Sequence, residues 1–228
     1  MASSDDHEFF EGRIARRRFM GLSAAAVAAL VLGGGELLTS GCSPSTSPTE
    51  SAGSAAELAS LFRVQHVTKD PTYLPNQWRL KVTGLVEREL DLTLADFLAL
   101  PQTDMVRDFK CVEGWEVPNV PWEGVTVSEI MDRAGVRPEA AYLHFWSDDG
   151  VYSDQLSVPQ ARRPEVLLAH KMGGAELPKD QGWPVRLVVP GKWGYKSVKW
   201  VGRIEVDDTF DVGYWERQGY PDQATIIE

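Results

Sequence analysis

The stretch DFKCVEGW, residues 108–115, holds the one cysteine in the body of the chain, Cys111; the second of the two, Cys42, lies in an N-terminal leader. A thiol without a mate has three chemical uses. It can be a buried small hydrophobe, or a nucleophile with a nearby base, for which His66, His144 and His170 are the candidates. It can also be a single thiolate ligand to a soft metal centre whose remaining ligands come from a cofactor. With four histidines and one usable cysteine, none at paired spacing, a zinc site built from protein ligands alone is not expected. Residue chemistry by itself leaves the three uses open.

The elements that must position Cys111 are read from periodicity and caps. WRLKVTGLV (78–86) alternates apolar and polar residues as a strand does, and AYLHFW (141–146) is a second strand followed by the turn Asp148-Asp149-Gly150. PVRLVVP (184–190) and VKWVGRIEV (198–206) are further strands, separated by the glycine-rich loop GKWGYKS. LTLADFLALP reads as a short helix capped by Thr93 and closed by Pro101. TVSEIMDRAG places Thr126 and Glu129 at capping-box spacing, with Gly135 as the stop. Short helices mixed irregularly with strands predict an α+β domain over 57–228. Eight tryptophans, all but one beyond residue 110, fit a well-packed core around a pocket.

The net charge of −10 speaks against a nucleic-acid partner, which needs clustered Lys and Arg. No dinucleotide fingerprint or phosphate loop of the Walker type is present. At the N-terminus, Arg16, Arg17 and Arg18 precede Phe19, Met20 and an apolar, alanine-rich run to Leu32, the pattern of an export signal. RRRFM also matches the twin-arginine form, whose route carries folded proteins. LLTSGC resembles a lipobox, with Thr39 where leucine is usual three places before the cysteine, so Cys42 is a lipid-anchor candidate. The expected organisation is a twin-arginine-type signal with lipobox over 1–42, a flexible Ser/Thr/Pro linker over 43–56, and the α+β domain over 57–228.

DFKCVEGWEVPNVPWEGV and GWPVRLVVPGKWGYKSVKWVGRIEV together resemble the molybdopterin-binding domain of the sulfite oxidase family, and most of all its YedY-like branch. The resemblance runs from about Phe62 to about Tyr220. It implies that family's fold of mixed sheets with short helices, and a molybdenum held by one pterin dithiolene, oxygen ligands and one protein thiolate, at the position of Cys111. Arg186 matches the arginine that binds the pterin's phosphate. Ser197, Val198 and Lys199 match the segment that wraps the pterin, and Gln181 stands where an asparagine is common. Ser147 sits near an expected cofactor contact, as do Gln65 and His66. Glu113, like Trp115, is a candidate for lining the substrate pocket, and is carried as catalytic beside Cys111. The implied reaction is a two-electron oxygen-atom transfer on a small molecule, the metal cycling between Mo(VI) and Mo(IV). Sulfite oxidation relies in this family on an arginine cluster that the motifs do not supply, which favours reduction of a sulfoxide or similar substrate. With no CxxCH and no cysteine cluster, electrons must come from a separate redox partner, a membrane haem protein being the expected class. The expected address is the periplasm or the outer face of the cytoplasmic membrane. The C-terminal DVGYWERQGYPDQ reads as a closing flap over the core or as a docking surface.

Overall fold

The computed structural model describes residues 54–72 and 76–226. The export signal and the Cys42 lipobox fall outside the described residues, as does the linker up to residue 53. Its last residues, 54–56, do not stay irregular: Ser54 caps a short helix, α1 (Ala55–Ser60), by accepting a bond from the Glu57 amide.

Two sheets carry the domain. The first has the order β2 (Leu90–Thr93), β1 (Arg79–Gly84), β10 (Val201–Asp207), β5 (Tyr142–Ser147) and β6 (Ser153–Ser157), with β1 and β10 parallel and the rest antiparallel. The second is antiparallel, in the order β3 (Thr103–Lys110), β4 (Glu116–Thr126), β7 (Leu167–Met172) and β8 (Ala175–Glu176), and β9 (Arg186–Val188) also pairs with β7. Helix α2 (Leu94–Leu98) starts at Thr93 in a complete capping box with Asp96. Helix α3 (Val127–Ala134) is capped by Thr126 and ends on the left-handed Gly135, while the Glu129 carboxylate goes to Arg133. A single turn, α4 (Val158–Ala161), follows β6. This bears out the α+β architecture expected from the sequence. Among the described residues no helix is long and apolar enough to cross a membrane.

Both faces of the second sheet are covered at β7, which is why β7 is buried along nearly its whole length rather than on alternate residues. Leu168 and Val125 join the larger core with Trp78, Phe97, Phe145 and Ile204. Leu167, Ala169 and Trp122 point into the smaller core with Phe62 and Val120. Two expected strands are shorter than their apolar runs. The run 184–190 pairs only over β9, and the run 198–206 becomes a strand only at Val201. The residue before it, Trp200, has φ of 52°, in the left-handed region, and its indole N–H donates to the Lys179 carbonyl at 2.8 Å. The chain therefore stays a loop through Trp200, and that loop borders the site.

Candidate functional site

Sheet order explains how the two long motifs meet. β3 delivers Cys111 at its end, β4 returns from it, β7 bridges, and β9 opens with Arg186. The Arg186 guanidinium lies 5.1 Å from the Phe109 ring and 5.5 Å from the Trp122 ring. The glycine-rich loop closes in from the side. A Cβ on Gly194 would sit 2.7 Å from the Phe109 ring, so only glycine lets this loop approach the cysteine strand so closely.

One pocket results, lined by Cys111 and Glu113 from the β3–β4 turn, Arg186 from β9, Ser197 and Lys199 from the loop, and Gln181, Ser147 and Gln65 from three further segments. The turn that presents Cys111 is tight: the Cys111 amide donates to the Trp115 carbonyl at 2.9 Å, and the Gly114 amide donates to the Cys111 carbonyl at 3.0 Å. Its sulfur lies 3.9 Å from Glu113 Oε2, which also accepts from Gln65 Nε2 and Trp115 Nε1, each at 3.2 Å. Burial pushes the Cys111 thiol up, and the Glu113 carboxylate adds to the rise against opposing backbone N–H groups. Among the described residues no histidine lines the pocket. The nucleophile reading therefore lacks both its base and a lowered thiol pKa.

Arg186 is 3% exposed, and its hydrogen bonds among the described residues all go to neutral oxygens. It donates to the Gln181 carbonyl at 3.1 Å, to Gln181 Oε1 at 3.2 Å and to the Ser197 carbonyl at 3.3 Å. Its Nε is buried without a hydrogen-bond partner, and burial lowers its pKa to about 10. Lys199 is likewise held by carbonyls, those of Gln65 and Asp180, both at 2.9 Å, and by the face of Trp200 at 4.3 Å. Burial first, and then the charge of Arg186, lower it to about 8. Neither cation forms an ion pair among the described residues. A buried and a half-buried positive charge, with an orphaned donor between neutral partners, call for an anion, and a pterin phosphate satisfies that call. At the other end, no group of three or more His, Cys, Asp or Glu among the described residues could hold a metal. A metal on Cys111 must take its remaining ligands from a non-protein group, as a dithiolene supplies them. On both counts the residues present fit the cofactor.

Two of the expected contacts lie elsewhere. His66 is exposed, binds Asp70 Oδ1 at 2.6 Å and faces the back of Trp200 at 6.3 Å, so it supports a pocket residue without lining the pocket. Val198 is fully buried in the larger core, and its carbonyl accepts from the Leu187 amide at 2.7 Å; its apolar side chain and its carbonyl are both committed to the fold. Two hydroxyls also have local duties: Ser147 Oγ accepts from the Asp149 amide, and Ser197 Oγ from the Val189 amide, both at 3.2 Å. The basic residues between 186 and 199 do not act as one patch. Lys192 and Lys196 turn away from the pocket to partners in the C-terminal segment. That segment does close over the pocket, which Trp215 and Tyr220 line, together with Tyr152 and Tyr195. Sequence reading missed these four rings as site residues; the only available signal was the density of aromatics after residue 110.

Comparison with known proteins agrees with the family that the two long motifs resemble. Residues 66–215 match the oxidoreductase molybdopterin-binding domain. The uncharacterized oxidoreductase YuiH of Bacillus subtilis is 33% identical over 160 residues, which cover 70% of this chain and 80% of that one. The protein-methionine-sulfoxide reductase catalytic subunit MsrP of Ralstonia nicotianae is 33% identical over 152 residues, covering 60% of this chain and 46% of that one. The crystal structure of the sulfane dehydrogenase SoxCD of Paracoccus pantotrophus superposes with a TM-score of 0.62 at 28% identity, covering 68% of this chain and 43% of that chain. The chain thus spans less than half the length of these last two. A sequence match over most of the domain, on a fold that gathers Cys111, Arg186 and Lys199 into one pocket, means that the chain belongs to the family of oxidoreductase molybdopterin-binding domains, whose cofactor is a molybdenum-bearing molybdopterin.

Proposed function

We propose that this domain is an exported oxidoreductase that removes an oxygen atom from a sulfoxide or similar small neutral acceptor, drawing its two electrons from a separate redox protein. The expected donor is a membrane haem protein, and the expected place is the outer side of the cytoplasmic membrane, with Cys42 as the candidate anchor. In this reading Cys111 is the one protein ligand to molybdenum. Arg186, oriented by Gln181, and Lys199 hold the phosphate tail, with Ser197 and Ser147 along the pterin and Gln65 at the rim. When bound, the cofactor supplies two-electron oxygen-atom transfer.

The observation that carries the choice of acceptor is Glu113. A carboxylate 3.9 Å from the Cys111 sulfur opposes an anion approaching the metal side. Of the three cations lining the pocket, Arg186 and Lys199 are assigned to the phosphate, which leaves Arg63 without the cluster that sulfite would need. Reduction of a sulfoxide to a sulfide consumes two electrons and two protons and releases water; in this reading the Glu113 carboxylate, 3.9 Å from the Cys111 sulfur, relays protons to the sulfoxide oxygen.

The test starts with protein matured in a molybdate-fed host. About one molybdenum per chain is expected, with a Mo(V) resonance on partial reduction and sulfoxide reduction driven by a viologen. Cys111→Ser should lower that rate by more than about a hundredfold, since even outer-sphere partners of a metal are worth ten- to a hundredfold. A matured sample with no released pterin and a freely alkylated Cys111 overturns the reading in favour of a metal-free binding protein. Sulfite oxidation without sulfoxide reduction overturns the choice of acceptor.

A further inference from the structure

The C-terminal segment is fastened along the glycine-rich loop. Tyr195 donates its hydroxyl to the Pro221 carbonyl at 2.6 Å, the Trp193 amide donates to the Ala224 carbonyl at 2.9 Å, and Lys192 Nζ reaches the Gln223 carbonyl and Thr225 Oγ1. Beneath this seam lies a charge cluster that the proposed chemistry does not use. Lys196, 3% exposed, binds Asp154 on β6 and Glu216 of the C-terminal segment, the latter at 2.6 Å. Glu216 Oε2 in turn accepts from the Gly213 amide at 2.7 Å, and Asp154 Oδ1 accepts from the Gln155 amide at 2.7 Å. Gly213 passes so close to Asp154 that a Cβ there would lie 2.9 Å from the carboxyl carbon. The residue before Glu216 is Trp215, and four residues on is Tyr220. Their rings meet at 5.4 Å and 66°, and Tyr220 meets Tyr195 at 5.6 Å and 68°. Trp215, Tyr220 and Tyr195 all line the pocket.

Buried ion pairs are a poor source of stability, because desolvation offsets their attraction, but they can hold one arrangement against others. Here the arrangement held is an aromatic surface. We propose that Lys196, by binding Asp154 and Glu216 at once, is a positioning residue that sets Trp215 and Tyr220 as a fixed wall of the pocket, and that this wall selects acceptors bearing a flat apolar substituent beside the reducible oxygen. The acceptor class rests on the oxygen-transfer reading; the positioning of the wall does not. Edge-to-face rings offer a further ring the geometry in which aromatic pairs attract.

Glu216→Gln keeps an acceptor for the Gly213 amide and removes the charge that Lys196 binds. In the full-length, molybdenum-loaded protein this variant should speed amide hydrogen exchange across 213–220 and leave β1, β5 and β10 unchanged. It should raise KM for methyl phenyl sulfoxide about three- to tenfold relative to dimethyl sulfoxide, with little change in kcat for either, the range expected for one lost aromatic contact. Trp215→Leu should reproduce the KM shift and leave exchange in the 191–197 loop as it was. Unchanged exchange in Glu216→Gln overturns the positioning role. Faster exchange without a change in the KM ratio, or a Trp215→Leu enzyme that still prefers the phenyl compound equally, overturns the wall as selector. A loaded enzyme that reduces neither sulfoxide defeats the oxygen-transfer reading alone. Calorimetric binding of methyl phenyl sulfoxide to the same variants then replaces KM, with the same two outcomes.

Discussion

Lys196 and Lys199 are separated by two residues of one loop, and both lose much of their contact with water, yet their surroundings are opposite in kind. Lys196 sits between two carboxylates, Asp154 and Glu216, and its charge is more than matched inside the protein. Lys199, with Arg186 beside it, is held by carbonyl and amide oxygens and by aromatic faces. Neutral oxygens orient a cation without cancelling its charge. The first arrangement completes the fold, whereas the second is complete only with an anion from outside the chain. The same distinction shows on the acids: burial raises the Asp154 carboxyl well above the usual range, Lys196 opposes that rise and Glu216 adds to it. A buried cation thus points to a ligand only when its partners have been counted.

The largest effect that separates the two comes from removing Lys196. Lys196→Met leaves Asp154 and Glu216 buried and facing each other without their shared cation. It should cost about 3–5 kcal/mol of stability with or without cofactor, measured by urea unfolding. A loss below about 1 kcal/mol would mean that the acids are compensated in some other way, and the comparison would break.

Arg186→Met is the opposite experiment. It removes a buried charge that has no acid partner, at the expense of three hydrogen bonds to neutral oxygens and two cation–π contacts. The cofactor-free protein should keep its stability to within about 1 kcal/mol, because those contacts and the cost of desolvating the guanidinium roughly cancel. Pterin retained after desalting should fall more than about tenfold, the smallest loss expected when a charge-assisted phosphate contact is deleted. Equal pterin retention in the variant would free Arg186 from the phosphate role.

The sequence exposed one side of this contrast and hid the other. Cys111, Arg186 and Lys199 stand in long motifs, and Thr93 and Thr126 announce their helices because capping is a local affair, settled within four residues. The β3–β4 hairpin that carries Cys111 gave no strand signal, since β4 contains Pro118 and Pro121, β3 is half solvated, and their register slips between Arg107 and Phe109. Lys192, Lys196 and Lys199 look alike in sequence. Their different duties depend on Asp154, Glu216 and Thr225, which approach them only through the folded chain. Val198 stood in register with pterin-wrapping neighbours, but a valine there satisfies the core first. Periodicity and motif spacing report what lies along the chain; compensation of charge is a property of what lies across it.

The smallest effect, and the one that tests the contrast at Lys199 itself, is a pH dependence of two opposite signs. Lys199 titrates near 8 in the cofactor-free fold, against 10.5 for a free lysine. Between these values the unfolded chain holds a proton that the fold has released, so stability from this group rises with pH across that window and is lowest below 8. A bound phosphate reverses the preference: it favours the charged ammonium, so cofactor affinity is greatest below pH 8 and declines as pH climbs past it. Melting temperatures of wild type and Lys199→Met, both cofactor-free, should therefore converge between pH 8 and 10.5, with the wild type lower at neutral pH. After discount for partial exposure the gap is on the order of 1 kcal/mol, or about 2–4 °C. Pterin uptake by the wild type should weaken over the same interval while that of Lys199→Met stays flat. Parallel curves in both measurements would show that Lys199, like Lys196, already has its counter-charge within the fold.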